Sequence, residues 1–583
     1  MEAHREQLLA IVIEVDAAIA AGGTAPLPNE VLHPILRKYP RGGRGFFSRS
    51  QIIAGYRALA RDAGVFIDER TFVEHLRMRP VRTQSGVTPV TVLSKPFPCP
   101  GECVFCPNDV RMPKSYLSEE PGCQRAENNG FDPYLQTYNR LRALRAIGHN
   151  TDKVELIVLG GTWSFYPEDY QVWFVRRCFE AMNDFGCGVD GRAAAQPDRI
   201  SLEGVPRGVD GRDIDVSYNR LVRKHFGSGA ARDVSGDWGS LEAAHHENEG
   251  AACRCVGLVL ETRPDHVSQR EVLRLRRLGA TKVQLGLQSM SDEILGLNKR
   301  GHDVQQARDA MRRLRDAGFK VLAHWMPNLL GATPAADVAD YHRLFDDAAI
   351  RPDELKIYPC SLVQSAELMR HHESGAWRPY VRDELIDVLR AAIASTPRYC
   401  RLSRVIRDIS SKDIVVGNRE SNMREVAERA LDEDGEPRVD IRARELRGDR
   451  FEHEKLVMRS TEYATDHSRE VFLEFVLPDD RLAGFCRLSL PVDRRAIEEL
   501  ADSALVRELH VYGASLSLGE AAGERPQHRG LGQRLLEAAA ERAREAGCPD
   551  LAVISAVGTR AYYRRVGFVD GPLYQHRNLT IGV

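Results

Sequence analysis

Apolar positions change their spacing twice along the chain, and each change marks a different kind of element. Over residues 1–80 the spacing is helical. Leu8, Leu9, Ile11, Val12 and Val15 form one stripe, and Gln51–Ala60 repeats it, so a small helical region is expected. Pro40-Arg-Gly-Gly-Arg-Gly between them has loop composition. From 81 to 400, short β-rich runs alternate with helical stretches: Val154–Leu159, Val256–Leu260, Lys282–Leu287, Lys320–His324 and Glu354–Tyr358. Ser268-x-x-Glu271 is a capping box and Gly279 closes the helix that follows it. Asp303 and Gly318 bracket the next one. This alternation predicts an α/β unit with a parallel sheet, open or barrel-shaped, whose ligands sit at the carboxyl ends of the strands.

Residues 188–252 interrupt the alternation with Gly, Asp, Ser and Ala, which predicts a long surface insertion. A connecting region spans 401–450 and contains the charged turn Asp432-Glu-Asp-Gly-Glu-Pro437. Residues 451–583 form a second, α+β unit. Its strands are expected near Val471–Val476, Leu482–Leu488, Leu505–Val511 and Leu551–Ser555, and its helix near Leu531–Ala546.

Composition changes this picture in two places. The net charge of the 583 residues is only −2, yet residues 33–82 hold eleven Arg and Lys against four acids. That segment is a candidate phosphate-binding face, or a solvated basic surface. There are twelve cysteines, three of them within eight residues. No early stretch has the build of a signal peptide, and no apolar run is long enough to span a membrane, so a cytoplasmic protein is expected. In that setting clustered cysteines point to a metal rather than disulfides.

The cluster reads Lys95-Pro-Phe-Pro-Cys99-Pro-Gly-Glu-Cys103-Val-Phe-Cys106-Pro107. A cubane cluster has four irons, and three thiolates from one loop leave one iron open to a cofactor. A zinc site lacking its fourth ligand, or incidental cysteines, would also give three thiols. The spacing resembles the signature of radical S-adenosylmethionine enzymes, and Phe105 matches the aromatic usual there. Gly160-Gly161-Thr162, after the Val154–Leu159 run, resembles the element that receives the methionyl amine in that family. In the second unit, Gln527-His-Arg529-Gly530-Leu-Gly532 opens the helix. Glycines and free N–H groups at a helix start suit a phosphate. The motif resembles the pyrophosphate loop of GNAT acetyltransferases, and Tyr562-Tyr563 falls where that fold places a tyrosine near the thioester.

The two halves together resemble the catalytic acetyltransferase subunit of Elongator over roughly residues 75–583. The likeness rests on motifs that include Arg77-Met-Arg79-Pro-Val-Arg82, Glu261-Thr-Arg-Pro-Asp265, Gln284-Leu-Gly-Leu-Gln288-Ser289, Arg300-Gly-His302 and Arg507-Glu-Leu-His-Val-Tyr-Gly513. The resemblance implies a radical S-adenosylmethionine partial (β/α) barrel followed by a GNAT domain. It implies a [4Fe-4S] cluster on Cys99, Cys103 and Cys106, with S-adenosylmethionine beside Phe105, Gly160, Gly161 and Thr162. Acetyl-CoA would lie on Gln527, Arg529, Gly530, Gly532 and Tyr562. The implied reaction forms 5-carboxymethyluridine at the wobble position of tRNA, with Tyr562, Tyr563, Glu261 and Gln288 at the reacting ends. Arg77, Arg79, Arg82 and Lys95 would hold the tRNA. An electron donor is required, other Elongator subunits are not, and a homodimer is compatible. The sequence departs from the family at Asn328, where an Asp is usual, and at Ile441-Arg-Ala-Arg444, which lacks the cysteines of a structural zinc. A lysine acetyltransferase with a structural iron–sulfur domain is the alternative reading. A tRNA-binding scaffold and a radical enzyme for small molecules are more distant ones.

Overall fold

The computed structural model describes residues 4–41, 45–60, 67–78, 86–195, 200–208, 210–212, 217–226, 236–407, 409–446, 452–512 and 530–580. The first four helices, Arg5–Ala20, Asn29–Lys38, Arg49–Leu59 and Glu69–Leu76, enclose their own core. The predicted stripe is buried there with Ile52, Ile53 and Phe72. Ser48 and Gln51 cap the third helix reciprocally, which fixes its start two residues before the expected one.

Strands β1 (Thr88–Leu93), β2 (Lys153–Leu159), β3 (Arg254–Thr262), β4 (Lys282–Gln288), β5 (Lys320–Trp325), β6 (Glu354–Ile357) and β8 (Arg401–Arg404) pair in that order, every pair parallel. β7 (Leu362–Val363) and β9 (Ile414–Val416) make a small antiparallel pair beside them. One face is apolar and carries helices such as Glu168–Cys187 and Val304–Asp316. The other face is polar and concave. Lys282 on β4 lies 2.9 Å from Glu155 on β2, and Lys356 on β6 donates to Gln284 Oε1 on β4 at 2.5 Å. Strands two apart stand almost 10 Å from each other, so these long side chains bridge the concave face of a sheet curled into a partial barrel.

The second sheet has the order β10–β11–β12–β13–β14–β16–β15. Its strands are β10 (Val457–Ala464), β11 (Ser468–Val476), β12 (Leu482–Pro491), β13 (Ser503–Val511), β14 (Asp550–Val553), β15 (Val569–Asp570) and β16 (Gln575–Asn578). All pairs are antiparallel except β13 with β14. Helix Leu531–Glu545 covers it through Leu535, Leu536, Ala539 and Ala543. This is the expected architecture: a parallel half-barrel, then an α+β unit. The two sheets share one apolar core and one buried charge knot. Arg507 on β13 donates to Asp353 Oδ1 at 3.0 Å, to Glu470 Oε2 at 2.8 Å and to Phe319 O at 2.9 Å.

The run 188–252 differs from a plain surface insertion. Its last helix, Trp238–Gly250, packs on Glu168–Cys187, with Leu241 and Ala244 in the main core. Asn248 donates to Asn183 Oδ1 and Cys253 O at 2.6 and 3.1 Å. The amide of Asn248 also accepts from Cys255 N at 2.8 Å, so it satisfies buried backbone groups at the entry to β3.

Candidate active site

The loop carrying Cys99, Cys103 and Cys106 lies over the carboxyl ends of the parallel strands. A small cavity there is lined by all three cysteines with Gly161, Thr162, Glu261, Arg263, Gln288, Arg300 and His324. Cys103 and Cys106 are buried, and Cys99 is half-buried. Hydrogen bonding from the Cys106 thiol, with the guanidinium groups of Arg300 and Arg263, holds the Cys103 thiol well below its usual range. Arg300 Nη1 lies 3.1 Å from Cys103 Sγ. Among the described residues no three His, Cys, Asp or Glu side chains close around a single ion. Three thiols from one loop converge on this cavity, and a cubane cluster, which spreads its thiolates over separate irons, fits that donor set.

The turn after β2 completes this end. Gly160 and Gly161 have φ of +136° and +70°, open to glycine and strained for other residues. A Cβ on Gly160 would collide with Ser94 Oγ, whereas one on Gly161 would meet nothing closer than Lys114 O at 3.7 Å. Gly161 therefore leaves an open cradle next to the thiols. Thr162 is buried, its Oγ1 3.9 Å from Cys99 Sγ. Phe105 is buried with Leu329, Leu362 and Leu368. These residues could hold the methionyl end of a cofactor bound to an open iron.

Behind them lies a polar set. Tyr116 Oη donates to Glu261 Oε2 at 2.8 Å, and desolvation raises the Glu261 carboxyl although Lys356 opposes it. Gln288 stands at φ +72° with its Oε1 buried and unpartnered. A strained backbone with an unsatisfied acceptor aimed at a cavity is where a ligand contact is expected. His302 is pushed down to about 4 by burial and Arg300, so it is neutral. Asn328 stitches the chain locally: its Nδ2 donates to Arg378 O at 3.1 Å and its Oδ1 accepts from Tyr380 N at 2.9 Å. An ionised aspartate there could accept but not donate.

The second site is a cavity of about 340 Å³ between the two sheets. β13 pairs with β14 only over Ser503–Val506 and continues to Val511 paired with β12 alone, so β13 and β14 part beyond Val506. A register shift against β12 leaves Arg507 as the extra residue, which bends the strand and turns its side chain toward Asp353. Glu508, His510, Tyr512 and Tyr563 line the cavity from this side. Lys282, Lys320, Glu354 and Arg401, at the amino ends of the barrel strands, line it from the other. Lys320 pairs with Glu508 across the gap. Burial pushes both Tyr562 and Tyr563 up, so each keeps its proton at neutral pH. At the helix start Gly530 has φ +88° and offers no side-chain cap, which leaves the first N–H groups open. A Cβ on Gly532 would come within 2.8 Å of Tyr562 Oη. Gln527 and Arg529 lie outside the described residues.

The basic residues expected to hold nucleic acid are scattered. Arg79 and Arg82 lie outside the described residues. Arg77 Nε donates to Gly148 O at 2.8 Å and ties the helical region to the barrel. Lys95 is buried, its ammonium 5.1 Å from the centre of the Tyr170 ring. Lys38 and Arg57 are paired with Glu14 and Glu69. One interaction had no signal in the sequence. Asn219 Oδ1 accepts from Cys99 N and its Nδ2 donates to Cys99 O, both at 2.8 Å, across 120 positions of chain.

Comparison with known proteins agrees with this architecture. The profile of the Radical SAM superfamily matches residues 216–341, that of the Radical_SAM C-terminal domain 352–433, and that of the Acetyltransferase (GNAT) family 439–568. The first of these begins beyond the cysteine loop, so the loop's assignment stands on its spacing and geometry. A tRNA uridine(34) acetyltransferase of Dehalococcoides mccartyi is 37% identical over 85% of this chain and 98% of its own length. Elongator complex protein 3 of Homo sapiens is 31% identical over 86% of each. The solved structure of the archaeal Methanocaldococcus infernus Elp3 with an N-terminal deletion superposes with a TM-score of 0.65 at 32% identity, covering 85% of this chain and 99% of that one.

Proposed function

This chain belongs to the family of the tRNA uridine(34) acetyltransferases and Elongator complex protein 3, and from that membership we propose that it modifies the wobble uridine of tRNA with the acetyl group of acetyl-CoA, giving 5-carboxymethyluridine. Cys99, Cys103 and Cys106 would hold a [4Fe-4S] cluster that, with S-adenosylmethionine and an external electron donor, would supply the radical that takes a hydrogen atom from the acetyl methyl. The methylene carbon would then replace the hydrogen on uracil C5, which leaves as a proton while one electron goes to an acceptor, and water would cleave the thioester to release CoA. That chemistry suits the substrates, because uracil C5 is a poor nucleophile and the methyl hydrogens are poorly acidic.

The chain's own residues then have separable tasks. Gly161 and Thr162 seat the methionyl end, while Glu261 and Gln288 orient what enters the cavity. Gly530 and Gly532 admit the pyrophosphate to the helix start, and Tyr562 and Tyr563 present protonated hydroxyls near the thioester. An unstacked loop base enters from the carboxyl ends of the strands. The domains assigned are 1–80 for tRNA contact, 81–400 for the radical chemistry, 401–450 as connection and 451–583 for acetyl-CoA.

The observation that carries this reading is that the two cavities lie at opposite ends of the same parallel strands. Lys282, Gln284, Gly286 and Gln288 alternate along β4 on the concave face. The first lines the inter-sheet cavity and the last two line the cysteine cavity. The two ends are about 20 Å apart at strand rise, a span that a phosphopantetheine arm covers. The test is anaerobic reconstitution followed by incubation with tRNA, labelled acetyl-CoA, S-adenosylmethionine and a reductant. Nucleoside mass analysis should show labelled carboxymethyluridine from the wild type and none from Cys103→Ala. Wild-type protein with a full cluster and no product would refute the reading.

A further inference from the structure

The helix Tyr218–Phe226, Tyr-Asn-Arg-Leu-Val-Arg-Lys-His-Phe, lies within the run 188–252 that interrupts the strand–helix alternation. It is amphipathic. Tyr218 and Val222 are buried with Val110, and the Tyr218 hydroxyl donates to Met112 O at 2.8 Å. Its underside is therefore seated on the cysteine loop itself. The segment before it is seated there too, since Val110 N donates to Arg207 O at 3.0 Å. Asn219 completes the attachment by gripping both backbone polar atoms of Cys99.

On the opposite face stand Arg220, Arg223 and Lys224, all exposed, at the i, i+3 and i+4 spacing that groups side chains on one side of a helix. The helix contains no acidic residue. Its position matters as much as its charge. Of the three cluster cysteines, Cys99 alone is half-exposed, so the open side of the site lies where Asn219 anchors the helix. A basic face at that edge meets whatever polymer brings a base into the cavity.

We propose that this helix is a phosphate-binding face for the RNA substrate, fixed at the open edge of the cysteine site by Asn219. The inference rests on the reading of the substrate as tRNA. Arg223 and Lys224 neutralise backbone phosphates beside the flipped base and carry no sequence information. Asn219 is a positioning residue that keeps this face in register with the first cysteine.

Full-length, anaerobically reconstituted protein would be titrated with a tRNA transcript by fluorescence anisotropy between 50 and 200 mM salt. Removing one side chain that neutralises a phosphate lowers the magnitude of the slope of log K against log salt by about 1. The double variant Arg223→Gln/Lys224→Gln should therefore bind more weakly, with the slope reduced by about 2. Iron content and acetyl-CoA affinity should match the wild type, and Arg223→Lys should keep the wild-type slope. A double variant with unchanged affinity and slope would overturn the inference while leaving the reading of the substrate intact, and the face would then be a solvated surface. A wild type that binds no tRNA would overturn that reading, and this inference with it.

Discussion

Single residues carry the chemistry, and the sequence shows them when their spacing is local. The three cysteines fall within one loop, so their pattern survives without knowledge of the fold. Replacing Cys103 with Ala should abolish the cluster's absorbance and iron content while the melting temperature of the cluster-free protein stays at the cluster-free wild-type value; retention of full iron would contradict the assignment. Gly532 is also local, but its reason is visible only in three dimensions, where an added side chain meets Tyr562 Oη. Gly532→Val is expected to weaken acetyl-CoA binding by about tenfold, or about 1.4 kcal/mol, as read by calorimetry. Gln288 and Asn219 lie at the other extreme. The left-handed backbone of the first and the grip of the second on Cys99 depend on chain folded around them, and no spacing announces either.

At the level of elements, the strands with apolar runs were legible and the exposed ones were not. β3 to β6 begin and end within a few residues of their apolar runs, because both their neighbours and the covering helices demand such residues. β10 has mostly exposed side chains and lies at a sheet edge, so its sequence has no stripe. β1, β15 and β16 left no clear signal either. β16 yields a pH prediction. Hydrogen bonds to Asp550 and then Glu499 raise His576 to about 9. A raised histidine contributes stability that is fully present below its unfolded value near 6.5 and lost as pH rises through 9. The melting temperature of the wild type should fall between pH 6.5 and 9 relative to His576→Gln. Parallel curves for the two proteins over that window would contradict the assigned role.

At the scale of the molecule, the two sheets are joined by charge as well as by a common core. Asp353 is fully buried, and although desolvation pushes its carboxyl up, Arg507 and Arg487 hold it down at about 2. Asp353→Ala would take one of two carboxylate partners from each of two buried guanidinium groups, leaving Arg507 to Glu470 and Arg487 to Glu508, at a cost of about 3 kcal/mol. Guanidinium titration should show the loss in both halves together, since the knot spans them. The α/β alternation foretold each unit, but nothing in it said which ends of the barrel strands the second unit would cover. The ion pairs of Arg507 help to fix that arrangement, which puts the inter-sheet cavity at the amino ends of the barrel strands and the thiols at their carboxyl ends.

The central claim is that the acetyl methyl is the hydrogen source for the radical site, and one measurement reaches it directly. Reconstituted protein would be given tRNA, S-adenosylmethionine, a reductant and acetyl-CoA deuterated on the methyl carbon, and the 5′-deoxyadenosine would be weighed by mass spectrometry. Transfer from the acetyl group predicts one deuterium in that product, and carboxymethyluridine retaining two deuteriums on its new methylene. Carboxymethyluridine formed alongside 5′-deoxyadenosine that contains no deuterium would contradict the account.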